Sequence, residues 1–471
     1  MLIAGIVAYL LLTLAIGFMA ARRVKTVSDF ALAGRRLSFF MASATVFATW
    51  FGSETILGSS AEFAKKGLSG VIEEPFGAAL CLILVGLFFA RRLYRMNLNN
   101  LGEFYQQQYG TATEIVTSVI MVFSYLSWVA AQFLALGIVL NTVTGLELKL
   151  AIVLMALLVT LYTTVGGMWA VSMTDSIQMV VIIVGLIVVL VVVAADYGGV
   201  LAVLSMPPQA HWQLMKKTDA GGIVAFINAW AVIGLGSIPG QDVFQRVMSA
   251  RNERVAIFSS IFSGFLYLSV AMIPLFLGYL ALRVLTPAEA AGDMQFLIPK
   301  LILAKTGVAL QIIFFGALLS AILSTASGAL LAPSVVLSEN LLRKLVGPDD
   351  RKLLRLSRAS TVLLAVISLI IALRYDKITE LVSDSSTYGL VSLFVPLIAG
   401  MFFGSRNSLA AITSCVGGTI TWKLWPTEGW MVTPQLAGFV TACLPFFVLV
   451  TTNITQKIRR SMRRVRQPHS K

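Results

Sequence analysis

Thr45-Val-Phe-Ala-Thr-Trp-Phe-Gly-Ser-Glu-Thr-Ile-Leu-Gly-Ser-Ser-Ala-Glu-Phe63 is the stretch on which the reading of this chain turns. It is apolar enough to enter a bilayer, yet Gly52, Ser53, Glu54 and Thr55 stand in its middle. An ionisable side chain at membrane depth costs roughly 3 kcal/mol or more, so it needs a partner or a wet cavity. Glycine beside small polar residues is what a helix needs where it unwinds and turns carbonyls towards an ion. A simple glycine kink, with Glu54 snorkelling to one surface, accounts for the same residues.

The 471 residues are 58% hydrophobic and only 12% charged. Soluble domains carry about a quarter charged residues, so this is the composition of a membrane protein. Each span takes about 20 apolar residues, which fills the length with spans and short loops. No stretch is long and polar enough for a soluble domain, which sets aside a fused kinase or nucleotide-binding domain and most enzymes. The net charge of +14 sits in short loops and after Thr455. There it orients spans and meets anionic membrane lipid, so nucleic acid is not an expected partner. Cys81, Cys415 and Cys443 lie in apolar stretches without a pairing framework, and His211 and His469 fall outside the expected spans. No metal-binding His/Cys set and no cofactor is therefore expected. The first apolar segment has no basic leader and no cleavage site, so it is read as a span.

The pattern predicts an all-α polytopic membrane protein with about thirteen transmembrane helices. They fall at roughly 2–21, 38–60, 71–90, 113–142, 148–167, 173–195, 223–246, 256–283, 305–337, 359–374, 381–404, 407–424 and 433–453. Most of the 36 Lys and Arg, including Arg22, Arg23, Arg91, Arg92, Arg343, Lys344 and Arg460, follow odd-numbered spans or lie in the tail. Placing that side inside puts the N-terminus outside and the C-terminus in the cytoplasm of a cell's plasma (inner) membrane.

A second span is interrupted like the first stretch: Gly234-Leu-Gly-Ser-Ile-Pro-Gly240 stands in front of Gln241, Asp242 and Arg246. Interrupted segments at matching places in two halves point to a transporter binding site. Spans two to six (about 38–196) and seven to eleven (about 223–404) then form two five-helix repeats of opposite topology. They follow a first helix and loop (1–37) and precede two C-terminal helices (405–455) and a basic tail (456–471). Two kinks that match by chance are the competing account, since neighbouring helices re-satisfy a kinked backbone. The ninth span carries Gly316-Ala-Leu-Leu-Ser-Ala-Ile-Leu-Ser-Thr-Ala-Ser-Gly-Ala329, where Ser320, Ser324 and Ser327 share a helical face with Thr325 beside it. Such residues either ligate a hard monovalent cation or let helices approach closely.

Taken together, these stretches resemble the sodium:solute symporter family over roughly residues 5–455. The phrases are Phe47-Ala-Thr-Trp-Phe-Gly52, Gly58-Ser-Ser-Ala-Glu62, Gly86-Leu-Phe-Phe-Ala-Arg91 and Phe104-Tyr-Gln-Gln-Gln-Tyr-Gly110. Gly166-Gly-Met-Trp-Ala-Val-Ser-Met-Thr-Asp-Ser-Ile-Gln178, Ile238-Pro-Gly-Gln-Asp-Val-Phe-Gln-Arg246 and the serine-rich ninth span complete the set. The resemblance implies the LeuT-like five-plus-five inverted repeat with two broken helices. It implies a sodium ion held by the carbonyls of Ala48, Phe51 and Ala321 and the hydroxyls of Ser324 and Thr325. Some members bind a second sodium, for which Asp175 and Ser327 stand in matching places. Gly328 replaces a further hydroxyl there, and Asp175 also reads as a cap on a helix starting near Met173.

The wording is nearest to the branch of high-affinity choline transporters, in which Trp50 and Trp128 match aromatic residues of the pocket. Gly240 and Ala78 stand where that branch has aromatic walls, so choline is not carried over as the solute. Trp50, Gly52, Ser53, Glu54, Trp128, Gly240, Gln241 and Asp242 are the expected solute-site residues. If Glu54 and Asp242 line the pocket, they favour an amine or a coupled proton. Otherwise Asp242 pairs with Arg246 one turn on and Glu54 faces a vestibule. Glu73 and Glu74 are expected as solvated charges at the outer mouth. The expected activity is sodium-coupled import of a small organic solute by alternating access, with Asp196–Gly222 and Val284–Lys300 as gating loops. A proton-coupled or uncoupled transporter, a channel and a transporter-like nutrient sensor are the rivals.

Overall fold

At membrane depth every backbone amide and carbonyl must be satisfied within the chain, so the long apolar runs have to become helices. The computed structural model describes residues 1–290, 292–343, 349–375, 377–426 and 430–465, without the side chains of 21 and 450–465. Lys344 and the tail from 466 on lie outside the described residues, as does the Arg460 side chain.

Among the described residues, 8 helices are long and apolar enough to cross a membrane. They are α1 (Leu2–Ala20), α4 (Ile72–Met96), α5 (Thr111–Thr144), α6 (Leu148–Ala195), α9 (Glu253–Val284), α10 (Val308–Leu342), α11 (Asp350–Ala372) and α12 (Ile378–Phe403). Between and after them lie α2 (Phe39–Trp50), α3 (Ser59–Lys66), α7 (Ala220–Gly234), α8 (Gln241–Ser249), α13 (Ser408–Leu424) and α14 (Pro434–Val465), whose apolar part is Pro434–Leu449.

Eight differs from the expected thirteen for physical reasons. The expected fifth and sixth spans meet end to end at a sharp kink at Gly167 (φ 50°, ψ −154°) and are taken together as α6. That residue is held against Phe30, where an added Cβ would lie 2.7 Å from the Phe30 carbonyl oxygen. The expected second and seventh spans are each divided into short halves, α2 with α3 and α7 with α8. Helix α13 stops after 17 residues.

Helix α10 sits at the centre, packed on α5, α6, α1 and α2. Its residues from Ala317 to Val336 are all buried, which its small side chains permit. Helix α1 lies at the edge, presenting Leu11, Leu12, Phe18 and Met19 outward, while Tyr9 hydrogen-bonds Ser320 of α10. Leu157, Leu161, Ile187 and Val191 of α6 also face outward, as lipid contact requires.

Candidate functional site

The first break begins where α2 ends at Trp50. Phe51 leaves helical geometry (φ −85°, ψ 71°), and the Gly52 amide turns to the Trp50 carbonyl at 3.1 Å. The Ser53 amide bonds the Gln132 side chain at 3.3 Å, and the helix resumes at Glu54. Gly52 has no room for a side chain: an added Cβ would lie 2.6 Å from Glu54 Oε2 and 2.7 Å from Thr325 Oγ1. The second break runs through turns from Leu235 to Gly240 before α8. A Cβ at Gly240 would lie 2.6 Å from Asp242 Oδ1. Both glycines are therefore held by close approach to a carboxylate.

Between the breaks lies a cavity of about 50 Å³ lined by Trp50, Glu54, Glu74, Tyr125, Trp128 and Asp242, with Gly240 at its edge. That volume admits a few water molecules. Trp50 Nε1 donates to Asp242 Oδ2 at 2.9 Å, and the Tyr125 hydroxyl donates to Oδ1. Trp128 Nε1 donates to Glu54 Oε1 at 3.0 Å and Gln132 Nε2 to Oε2 at 2.9 Å. No lysine, arginine or histidine is among the described lining residues. Carboxylates beside aromatic rings, with no basic side chain among the described lining residues, suit an organic ammonium ion.

Of the expected solute-site residues, the structure brings Trp50, Glu54, Trp128, Gly240 and Asp242 to this cavity. Gly52 and Ser53 stand behind it, and Gln241 turns away to accept the Leu101 amide at 2.7 Å. The expectation of solvated Glu73 and Glu74 is corrected: both are half-buried, because polar partners reach them inside the bundle. Thr55 donates to Glu74 Oε1 at 3.1 Å and Ser383 to Glu73 Oε2 at 3.2 Å. A wider cavity of about 370 Å³ adjoins the first, sharing Glu54 and Glu74 and adding Glu62, Glu73 and Glu380. Lys66 is its cation, pairing with Glu62 at 2.7 Å.

The expected sodium ligands gather where α10 crosses the first break. Thr325 Oγ1 reaches the Ala48 carbonyl at 3.3 Å and the Ala321 carbonyl at 3.1 Å, so three of the five meet directly. Ser324 is one residue away, and its hydroxyl donates to Asp175 Oδ1 at 2.6 Å. The Phe51 carbonyl belongs to the non-helical residue that ends α2. Thr45 donates to the other Asp175 oxygen at 2.5 Å. Ser327 donates to the Ser324 carbonyl and accepts from Tyr162, each at 3.0 Å. The capping account of Asp175 does not hold, since α6 is continuous from Met168 through that residue.

Arg246 also departs from expectation. Fully buried, it aims its guanidinium at the main chain: Nη1 to the Asp242 carbonyl at 2.8 Å and Nε to the Thr45 carbonyl at 3.1 Å. Its Nη2 donates to the Thr49 hydroxyl. The carboxylate of Asp242 is thus left to the ring donors. Sequence reasoning missed Tyr125 and misplaced Glu74 among the cavity residues, and it missed Gln132, which holds Glu54 from behind. Tyr125, Trp128 and Gln132 stand at helical spacing on α5, a polar aromatic face that could have signalled them.

A model of the sodium:solute symporter family matches residues 30–418. The human high affinity choline transporter 1 is 25% identical over 437 residues, covering 88% of this chain and 75% of its own. A sodium-dependent multivitamin transporter from Oryctolagus cuniculus is 26% identical over 456 residues, covering 91% and 70%. The solved substrate-bound, outward-open structure of a Na⁺-coupled sialic acid symporter superposes with a TM-score of 0.78 at 20% identity, covering 94% of this chain and 96% of that one. The likeness to that structure is one of fold.

Proposed function

This chain belongs to the sodium:solute symporter family, a sodium-coupled secondary transporter of an organic solute in an all-α polytopic membrane fold, and on that premise we propose that its solute carries an amine. One observation carries the reading: Glu54 and Asp242 line one cavity with Trp50, Tyr125 and Trp128, and no described lining residue is basic. An ammonium placed there gains carboxylate acceptors and aromatic neighbours. Choline being the solute named for a relative is compatible with this, although the two carboxylates also suit a primary or secondary amine, which can donate N–H bonds.

Sodium, in this reading, binds the carbonyls of Ala48, Phe51 and Ala321 with the hydroxyls of Ser324 and Thr325. The Thr325 contacts to Ala48 and Ala321 support that set. Asp175 with Ser327 is the candidate for a second ion. The bend in α6 and the two divided spans support thirteen membrane passes, in two inverted five-helix repeats flanked as the sequence suggests. Lys and Arg placement supports an outside N-terminus. Sodium would hold the first break in its outward form, the amine would draw the two breaks together, and the bundle would rock to open inward. A proton in place of sodium is the second reading, favoured by Glu54 and Glu74 sharing both cavities.

Thermal unfolding of the purified protein with amines, amino acids, sugars and carboxylates, each in sodium and in potassium, tests the proposal. A ligand at about 100 times its Kd stabilises the folded state by about 2.7 kcal/mol. Sodium-dependent shifts confined to amines are the expected result. Shifts confined to neutral or anionic solutes would rule the amine out, and equal shifts in potassium would bring the proton reading forward.

A further inference from the structure

Arg246 is a charged side chain at 1% exposure whose contacts belong to neither solute nor ion. Its three donor nitrogens go to three places: the Asp242 carbonyl on its own helix, and the Thr45 carbonyl and Thr49 hydroxyl on α2. The guanidinium therefore ties the second half of one broken span to the first half of the other. It also lies against α10 at Gly328, where an added Cβ would strike Nη2 and lie 2.8 Å from Thr49 Cγ2. Three of the helices that carry the candidate solute and sodium residues, α2, α8 and α10, thus meet at one planar cation.

From that cation a continuous chain of contacts runs both ways. In one direction Asp242 passes through its carboxylate to Trp50 and Tyr125 in the solute cavity. In the other, Thr45 accepts the guanidinium at its carbonyl and donates its hydroxyl to Asp175 at 2.5 Å. Asp175 in turn accepts from Ser324 at 2.6 Å, beside Thr325 and the Ala48 carbonyl. A guanidinium holds such a triple contact because its donors are fixed in a plane, whereas an ammonium is a compact point charge.

We propose that Arg246 is the positioning residue that couples the sodium site to the solute site. It contacts neither ligand. It fixes the relative placement of α2, α8 and α10, so that organising one site organises the other. Binding energy at either site is then shared through a rigid three-helix junction, and the effect is reciprocal. This rests on the amine and sodium assignments made above.

The test measures mutual influence, not activity. The full-length protein in detergent is titrated with sodium chloride at constant ionic strength, following Trp fluorescence and melting temperature, alone and with choline, ethanolamine or putrescine at saturation. In the unaltered protein the amine should lower the sodium midpoint by about tenfold, within the usual range of coupling between sites. In Arg246→Gln and Arg246→Lys each ligand should still bind alone, while the mutual effect falls below about twofold. A merely structural arginine would lower the melting temperature and leave that ratio unchanged, and this result would overturn the proposal. If Arg246→Gln does not fold, Thr49→Val removes the hydroxyl that accepts Nη2 and Thr45→Val removes the hydroxyl that carries the chain on to Asp175, and each should reduce the ratio. An unchanged ratio in both would equally overturn it. Should no amine shift the unaltered protein in sodium or potassium, the amine reading fails first and the proposal falls with it. Coupling in the unaltered protein that persists in every variant removes Arg246 alone.

Discussion

Asp242 gives both carboxylate oxygens to ring donors, Trp50 and Tyr125, that themselves wall the cavity. A bound ammonium would meet an acceptor already aimed by two partners, so little reordering is needed. Hydrogen bonds to charged groups contribute about 1.5–3 kcal/mol. Asp242→Asn should therefore weaken amine binding by about tenfold to a hundredfold, read by isothermal titration; unchanged affinity would remove this carboxylate from the site. Thr325 makes a second residue-scale case. Its hydroxyl spans the Ala48 and Ala321 carbonyls, and valine preserves the shape while deleting the oxygen. Thr325→Val should raise the sodium midpoint by about tenfold, with Thr325→Ser close to the unaltered protein. Equal sodium midpoints in all three would place the ion elsewhere.

At the level of elements, the breaks work because glycine lets backbone and side chains approach where any Cβ would collide. Gly328 plays that part for α10 against Arg246 and Thr49. Gly328→Ala should cost about 1–3 kcal/mol as overpacking, measured by denaturant unfolding. Combined with Arg246→Gln, the loss should be smaller than the sum of the two, because the methyl then has space. Additive losses would mean that the two residues do not share the junction. Helix α11 allows a pH test. Asp349 caps it by accepting the Arg351 and Lys352 amides, which hold its carboxyl below the ordinary 3.8. The stabilisation this gives the folded helix end is full above the ordinary value and is lost as pH falls through the lowered one. Hydrogen exchange at Arg351 and Lys352 should therefore lose protection in acid, and protection that is flat with pH would contradict this. Both breaks were legible in the sequence, since a broken helix is a local event written in Gly, Pro and small polar residues. The partners Trp50 with Asp242 and Tyr125 with Asp242 are separated by 192 and 117 residues, and pairing at that range leaves no local trace.

For the whole molecule, the wider cavity gathers Glu54, Glu62, Glu73, Glu74 and Glu380 on the approach to the solute cavity. Clefts of one sign raise the local concentration of opposite charge and speed its capture. Added potassium chloride at fixed sodium should slow amine association several-fold between about 0.01 and 0.5 M, as the screening length shrinks. A rate independent of salt, by stopped-flow fluorescence, would show that the glutamates do not steer. The membrane class and the arrangement of divided spans followed from composition and punctuation. The kink that divides α6 at Gly167 also falls where the fifth and sixth expected spans part, whereas its packing on Phe30, far earlier in the chain, left no local trace. The edge helix α1 has a consequence for how the molecule is made. Its tether, Tyr9 to Ser320, joins residues 311 positions apart. At about 5–20 residues per second of synthesis, the ribosome needs roughly 15–60 s to deliver the second after the first. Through that interval α1 can already lie against α6, while its Tyr9 hydroxyl still lacks the Ser320 partner that joins it to α10.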